Sequence, residues 1–390
     1  MKLSVRKSNN SDFEFDFLNL GDIEFKNSKG EYKDERLSLI ISEPMEPFDS
    51  YKNQLTKLFH SLIDEFENRV RLFRFDNTHE IFIWKSFWPL FKIIHKVFEE
   101  RNLLDRLIFT DNNCNFHFKN NKWKYEGYPR MLGFPIAPIS DDIESYIKNK
   151  KFNKHFLCLN RRPKYHREDI VNFLVESGIS ENSYYSFGVD GDNENHPLFK
   201  KLDFDINLTG IHPASAQDTF TSFQDTTFCY IVTETDADNE YTTTIQELDN
   251  EIHLNNNLFC HLTEKTSRAL SSGMPFILVS HAGSLKLLRK FGFKTFDKWW
   301  DESYDDLLDW DARKFAIQDV ITYLNSLSLE KCSQMYKEMI PHLIHNRKLY
   351  EEFNKKFEYF NKMDICEIEN FEDENEHWLL FRKLIKRWPV

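Results

Sequence analysis

The chain has 390 residues, 41% of them hydrophobic, and a formal net charge of −12 at neutral pH. That length suits two domains of ordinary size, and the apolar content is enough for real cores. The negative balance argues against a protein that wraps a nucleic-acid backbone, because phosphate binding needs a positive surface.

The six cysteines, Cys114, Cys158, Cys229, Cys260, Cys332 and Cys366, lie far apart, with no CxxC and no Cys/His spacing suited to zinc. Cys158, Cys229 and Cys260 fall in or near apolar strand-like runs and read as small core residues. A reducing, cytoplasmic compartment fits this usage. The amino-terminal MKLSVRKSNNSDFEFDF lacks an apolar core, so no signal peptide is expected. No apolar run reaches the roughly 18 residues of a membrane helix. The nearest, Ile81–Phe98, carries Lys85, Lys92, His95, Lys96 and Pro89, which predicts a strand passing into an amphipathic helix. Its aromatic and basic face leaves peripheral contact with a membrane surface open.

In chain order, residues 1–35 are polar and broken, with alternating pieces such as DFEFDFLNL that predict edge strands. LSLIISE (Leu37–Glu43) is the first strong buried-strand signal. The prolines of EPMEP end it, and a helical pattern runs to about Arg69. VRLFRF, EIFIW and DRLIF are further short strands, and strands alternating with helices imply a parallel sheet. GYPRMLGFPIAPISDD (Gly127–Asp142), with three prolines and two glycines, reads as a crossover between domains. A short helix (Asp141–Lys148) and the strand HFLCLN (His155–Asn160) open the second domain. The basic loop NRRPKYHR (Asn160–Arg167) follows, with four Lys/Arg in eight residues, and leads into the helix EDIVNFLVESG. TFCYIVTE (Thr227–Glu234) is another strand, and residues 235–257 form an acidic insertion. In Phe259–Asp305 a helix begins at Glu264-Lys265 and closes at Gly273, before the buried strand PFILV (Pro275–Val279). The chain beyond Leu329 is helical and charged. The boundaries predicted are therefore 1–140, 141–328 and a helical segment at 329–390.

Three segments of the second domain resemble the α1,3/α1,4-fucosyltransferase type of GT-B glycosyltransferase. In FLCLNRRPKYHREDIVNFL, Arg167 opening a helix and Leu174 seven residues later match the family pattern. FCYIVTE resembles the family's strand ending in Phe-Glu-Asn, with Glu234 at the Glu and Thr235 replacing the Asn. HLTEKTSRALSSGMPFILV carries Thr263, Glu264 and Lys265 of the Tyr-Val-Thr-Glu-Lys signature. The resemblance covers about residues 156–296. The spacing around Gly273 and Pro275 is one residue shorter than in the family, and the continuation after Val279 departs from it.

The resemblance implies an α/β, GT-B-like fold of two Rossmann-like domains with a cleft between them and a helical C-terminal segment. It implies an inverting transfer from a nucleotide sugar, GDP-fucose first, to a glycan or polysaccharide hydroxyl. By carry-over Arg167 and Lys265 would contact the donor diphosphate, Glu264 the ribose hydroxyls, and Glu234 would line the same cleft. Arg161 and Arg162 of the basic loop are candidate phosphate contacts, with an ordinary exposed loop as the alternative. The chemistry agrees: a departing nucleoside diphosphate gains negative charge, which cations stabilise, and Arg offers a planar fork to phosphate. Helix N-termini at Arg167 and Lys265 would add backbone donors.

The reaction also needs a base for the acceptor hydroxyl. Glu43, at the carboxyl end of the first strong strand, is the candidate, with Glu46 and Asp111 next. No tightly bound cofactor is expected, and the chemistry is expected to be metal-independent. Asp301, Glu302 and Asp305 suit either a metal cluster or an acidic helix N-terminus. Asp236–Asp238 (DAD) is a weak hint of a metal-assisted site, and His281 reads as a loop histidine that could touch the donor. Two other classes stay open: a non-catalytic binding or scaffold protein on the same fold, and a sulfotransferase-like enzyme, although the latter's phosphate loop is missing.

Overall fold

The computed structural model describes residues 2–6, 12–16, 36–41, 52–66, 72–77, 88–111, 117–119, 124–127, 142–188, 195–200, 202, 223–237 and 260–362. By its contacts the chain divides into two compact units. One is Met1–Pro129 with Glu240–Leu258 and Phe360–Val390, and the other is Arg130–Asn239 with Phe259–Tyr359.

The first unit contains β1 (Lys2–Arg6), β2 (Asp12–Asp16), β3 (Arg36–Ile41), α1 (Lys52–Phe66), β4 (Leu72–Asn77), α2 (Trp88–Glu100), β5 (Leu107–Asp111), β6 (His117–Lys119) and β7 (Lys124–Gly127). Its sheet has the order β2-β1-β3-β4-β5-β7-β6. The central strands β3, β4, β5 and β7 run parallel. β1 is antiparallel to both β2 and β3, and β6 to β7. The expected parallel sheet is therefore mixed, because strands joined by short connections can pair only antiparallel, whereas β3 to β5 are separated by whole helices. DFEFD does form an edge strand, β2, but β1 lies inside the sheet.

Helix α1 buries Leu55, Leu58, Phe59, Leu62 and Ile63, the three-and-four spacing of one apolar stripe. Pro89 sits in the first turn of α2, where its missing N–H has no helical partner to lose. The rings of Phe59, Phe75 and Phe98 meet edge-on at 5.5 and 5.7 Å and lock both helices to β4. The helical half of Ile81–Phe98 is thus α2, while EIFIW lies outside the described residues, as do Glu43 and Glu46. Asp111 is the last residue of β5.

The second unit contains α3 (Ile143–Lys148), β8 (Lys154–Leu159), α4 (Tyr165–Glu176), β9 (Ser183–Ser186), β10 (Thr227–Thr233), α5 (Glu264–Ser271), β11 (Phe276–Val279), α6 (Ser284–Lys290), α7 (Trp310–Ser326) and all but the last turn of α8 (Leu329–Lys362). Its four-stranded sheet has the order β11-β10-β8-β9, and every pair is parallel. All seven residues of β10 and all four of β11 are buried, the continuous apolar pattern of strands covered on both faces. Cys158, Cys229, Cys260 and Cys332 are buried free thiols. Helix α8 lays down a stripe of Cys332, Tyr336, Met339, Leu343, Tyr350 and Phe353. Tyr336 meets Phe152 at 4.9 Å and Phe353 meets Phe291 at 5.6 Å, so this helix joins the core of the second unit.

Two features of this unit position the site. The chain steps from β8 to β9 on one side and then returns to β10 on the other, so the strand order reverses between β8 and β10. Open α/β sheets bind ligands outside the carboxyl ends at such a reversal. Behind it, Gly273 closes α5 with φ +58°, and a Cβ there would overlap the Ile147 side chain, 2.7 Å from its Cγ1. Only glycine satisfies both the left-handed turn and the approach of α3.

Candidate functional site at the carboxyl edge of the parallel sheet

The carboxyl ends of β8, β10 and β11 are tied by polar side chains. Asn160, just past β8, accepts a 2.5 Å hydrogen bond from Thr233 Oγ1 at the end of β10, and its own N–H reaches Ser186 O on β9 at 3.0 Å. Glu234 N–H donates to Val279 O of β11 at 2.9 Å.

Glu234 is completely buried. Its carboxylate accepts from Thr263 N (2.9 Å), Thr263 Oγ1 (2.5 Å), Thr266 N (3.3 Å), Thr266 Oγ1 (2.5 Å) and Thr235 N (3.2 Å). Thr263 is the N-cap of α5, so Glu234 stands as a resident anion at that helix start, where the helix dipole favours it. The carboxylate supports α5 rather than offering itself to a ligand.

Arg167 is buried, and burial works against its charge, with Glu234, Glu264 and Asp236 opposing that effect. Its Nε (3.3 Å) and NH2 (2.9 Å) donate to Glu234 O, and its NH1 donates to Arg162 O at 3.2 Å. Those bonds use three of the five guanidinium N–H groups. Lys265 donates to Thr235 Oγ1 (3.2 Å), Thr263 Oγ1 (3.1 Å) and Glu264 Oε1 (2.9 Å), one acceptor for each ammonium proton. Burial pushes the Glu264 carboxyl up. The charge and hydrogen bond of Lys265, helped by Arg268, outweigh that and hold it at about 2, so it is ionised throughout the physiological range. Arg161 is half-buried and Arg162 exposed in the loop after β8. Lys164 of the same loop donates to Thr235 O at 2.7 Å.

The structure thus brings Arg167, Glu234, Glu264 and Lys265 into one network at the strand reversal, with Arg161 and Arg162 on its rim. The backbone donors differ from expectation. Arg167 N–H is bonded to Lys164 O at 2.9 Å and Lys265 N–H faces Thr263 Oγ1 at 3.4 Å, so neither points to a ligand. The start of α6 is also occupied: Asp305 accepts from Leu285 N and Lys286 N, both at 2.9 Å. Glu302 accepts from Phe296 N (2.8 Å) and Arg289 (3.0 Å), and exposed Asp301 accepts from Ser303 N. Asp305 thus caps α6, while Glu302 and Asp301 brace the loop that follows it. Among the described residues no group of three or more His, Cys, Asp or Glu is arranged to hold a metal ion. Asp236 is buried with its carboxylate on Ala237 N, and Asp238 lies outside the described residues.

Sequence reasoning overlooked two histidines here and undervalued a third. His166 is fully buried, and its Nε2 meets Glu234 O at 2.9 Å. A carbonyl only accepts, so Nε2 carries the proton. Burial, then Arg167, push His166 well below its ordinary value. His261 is pushed down to about 3 by burial and then by Lys265 and His281. His281, two residues past the end of β11, is a loop histidine as expected, but a buried one. The signal available for all three was position: each lies within three residues of a strand end or of a helix N-cap. Arg313, buried on α7, donates to Ala237 O and to Leu308 O (3.2 Å), and so pins the segment after Glu234.

No family model, curated protein or solved structure matches the chain. Among the described residues no helix is long and apolar enough to cross a membrane.

Proposed function

We propose that this chain is a glycosyltransferase whose second unit takes the diphosphate of a nucleotide sugar at the carboxyl edge of its parallel sheet. A GDP-sugar, GDP-fucose first, is the donor, and a glycan or polysaccharide hydroxyl is the acceptor. One observation supports this above the others. Of the residues that the fucosyltransferase resemblance links to the donor, Arg167 and Lys265 converge on Glu234–Thr235 where the strand order reverses, and Glu264 joins them through Lys265. Two cations beside a reversal suit a leaving group that gains negative charge. An ionised Glu264 suits acceptance of ribose hydroxyl protons. With the starts of α5 and α6 filled by Glu234 and Asp305, the phosphates belong at the start of α4. No side chain caps that helix, and Lys164 and Arg167 stand there. A GT-B arrangement of both units, an inverting displacement and Glu43 as base belong to the same proposal.

The test is thermal stabilisation by GDP, UDP, CDP, ADP and adenosine bisphosphate. A ligand at a hundred times its dissociation constant adds roughly 2.7 kcal/mol. GDP is expected to stabilise the wild type and to lose that effect in Lys265→Ala. Undiminished GDP stabilisation in a folded Lys265→Ala protein would overturn the site. UDP or CDP in place of GDP would change the donor and keep the class.

A second reading has its own support. The ammonium of Lys265 is satisfied entirely within the chain, as expected of a brace in a non-catalytic binding or scaffold protein. A panel without any stabilising nucleotide would favour it.

A further inference from the structure

The opposite, amino-terminal edge of the same sheet holds a buried amine that nothing in the proposed activity uses. Lys150 lies between α3 and β8. Its stem is half-exposed, but its Nζ is sealed from solvent and has no hydrogen-bond partner. It lies over the face of Tyr146, 5.5 Å from the ring centre. The facing carboxylate, Asp225 in the segment before β10, is engaged by Tyr146 Oη at 2.5 Å. From α8, Tyr336 interacts with Tyr146 and donates to Gly273 O at 3.4 Å. Of the other charges on α3 and α8, Glu144 pairs with Lys148 at 3.3 Å and with Lys348 at 2.7 Å, and Arg347 pairs with Glu351. Between Tyr146 and Lys150, Ile147 packs against the Cα of Gly273, the turn behind α5.

A buried ammonium without an acceptor is costly, so this enclosure accepts the neutral amine and rejects the cation. We infer that Lys150 is a proton-operated latch: in its neutral form it lets α3 close over the Gly273 turn, and proton uptake by the amine favours the open arrangement. Burial lowers the amine to about 7, with Asp225 opposing, against 10.5 for a lysine in water. Above 10.5 both arrangements are neutral and closure is complete. As pH falls from 10.5 toward 7 only the open arrangement binds the proton, so opening grows. Below 7 both bind it, and the effect levels off.

The experiment is residue-resolved amide hydrogen exchange on the full chain from pH 6 to 9.5, corrected for intrinsic rates. The probes are Tyr146 and Asn149 of the latch, whose amides bond Asp142 O and Ser145 O, and Ile231 in β10. Protection at Tyr146 and Asn149 is expected to fall about tenfold per pH unit from 9.5 to 7 and then level. Ile231 should keep far higher protection than the latch at every pH, falling with the same slope because the unfolded chain binds the proton too, and Lys150→Met should flatten both profiles. A flat wild-type profile, or an unchanged slope in Lys150→Met, would overturn the latch. So would protection at Tyr146 and Asn149 equal to that at Ile231, since α3 would then open only by global unfolding, and the wild-type protein by itself reveals that outcome.

Discussion

The two edges of the second unit's sheet treat buried charge in opposite ways. At the carboxyl edge Glu234 is fully enclosed and accepts five hydrogen bonds, and Arg167 and Lys265 close the network around it. At the amino edge the ammonium nitrogen of Lys150 is equally enclosed and has no acceptor. Burial alone therefore does not decide what a charge contributes. A charge supplied with donors from a helix start becomes a structural centre, whereas one without partners gives up its proton.

The sharpest way to break this contrast is to remove the anion. Glu234→Ala strands the donors of Thr263 and Thr266 and leaves Lys265 and Arg167 with less compensation. A loss of about 3–5 kcal/mol in urea unfolding is expected. A loss under about 1 kcal/mol would mean that Glu234 is not the centre of the network.

Where α5 ends, just before β11, stands Gly273. Gly273→Ala should cost about 3 kcal/mol, from the left-handed conformation and the overlap with Ile147. Ile147→Ala in the same chain should recover the overlap part but not the backbone part. Additive losses in the double variant would show that α3 does not press on this turn.

At the amino edge the sign reverses. Lys150→Met should stabilise the protein by about 2 kcal/mol at pH 7, and the gain should shrink toward pH 10 as the wild-type amine loses its proton in the unfolded chain as well. A variant less stable at pH 7 would show that the ammonium is paired in solution.

The smallest effect sharpens the carboxyl edge. His261 is held at about 3 in the fold against 6.5 unfolded, so its contribution is present above pH 6.5 and is lost as pH falls toward 3. Between pH 7 and 5 the wild type should lose up to about 2 kcal/mol more than His261→Phe. That window lies above the range in which Glu264 titrates, from 4.5 down to about 2. Equal losses in both proteins would place His261 in contact with water.

What could be read in the sequence was local. The uninterrupted apolar runs of β8, β10 and β11, the helix start at Glu264-Lys265 and the Gly273 stop are all legible within a few residues, because backbone preference is decided by near neighbours. The basic loop before α4 and the acid–base pair opening α5 were visible as candidates for the same reason. The sequence by itself could not assign Glu234 to Thr263 and Thr266, identify His166 and His261 as buried neutral imidazoles, or tell Lys150 from its neighbour Lys151. Each of those outcomes depends on the order β11-β10-β8-β9, which juxtaposes segments far apart in the chain and sets how much water remains beside each charged group. Local chemistry determined the elements and their ends. Tertiary structure decided which charges share an enclosure, because desolvation and pairing are properties of the assembled surroundings and not of the residue.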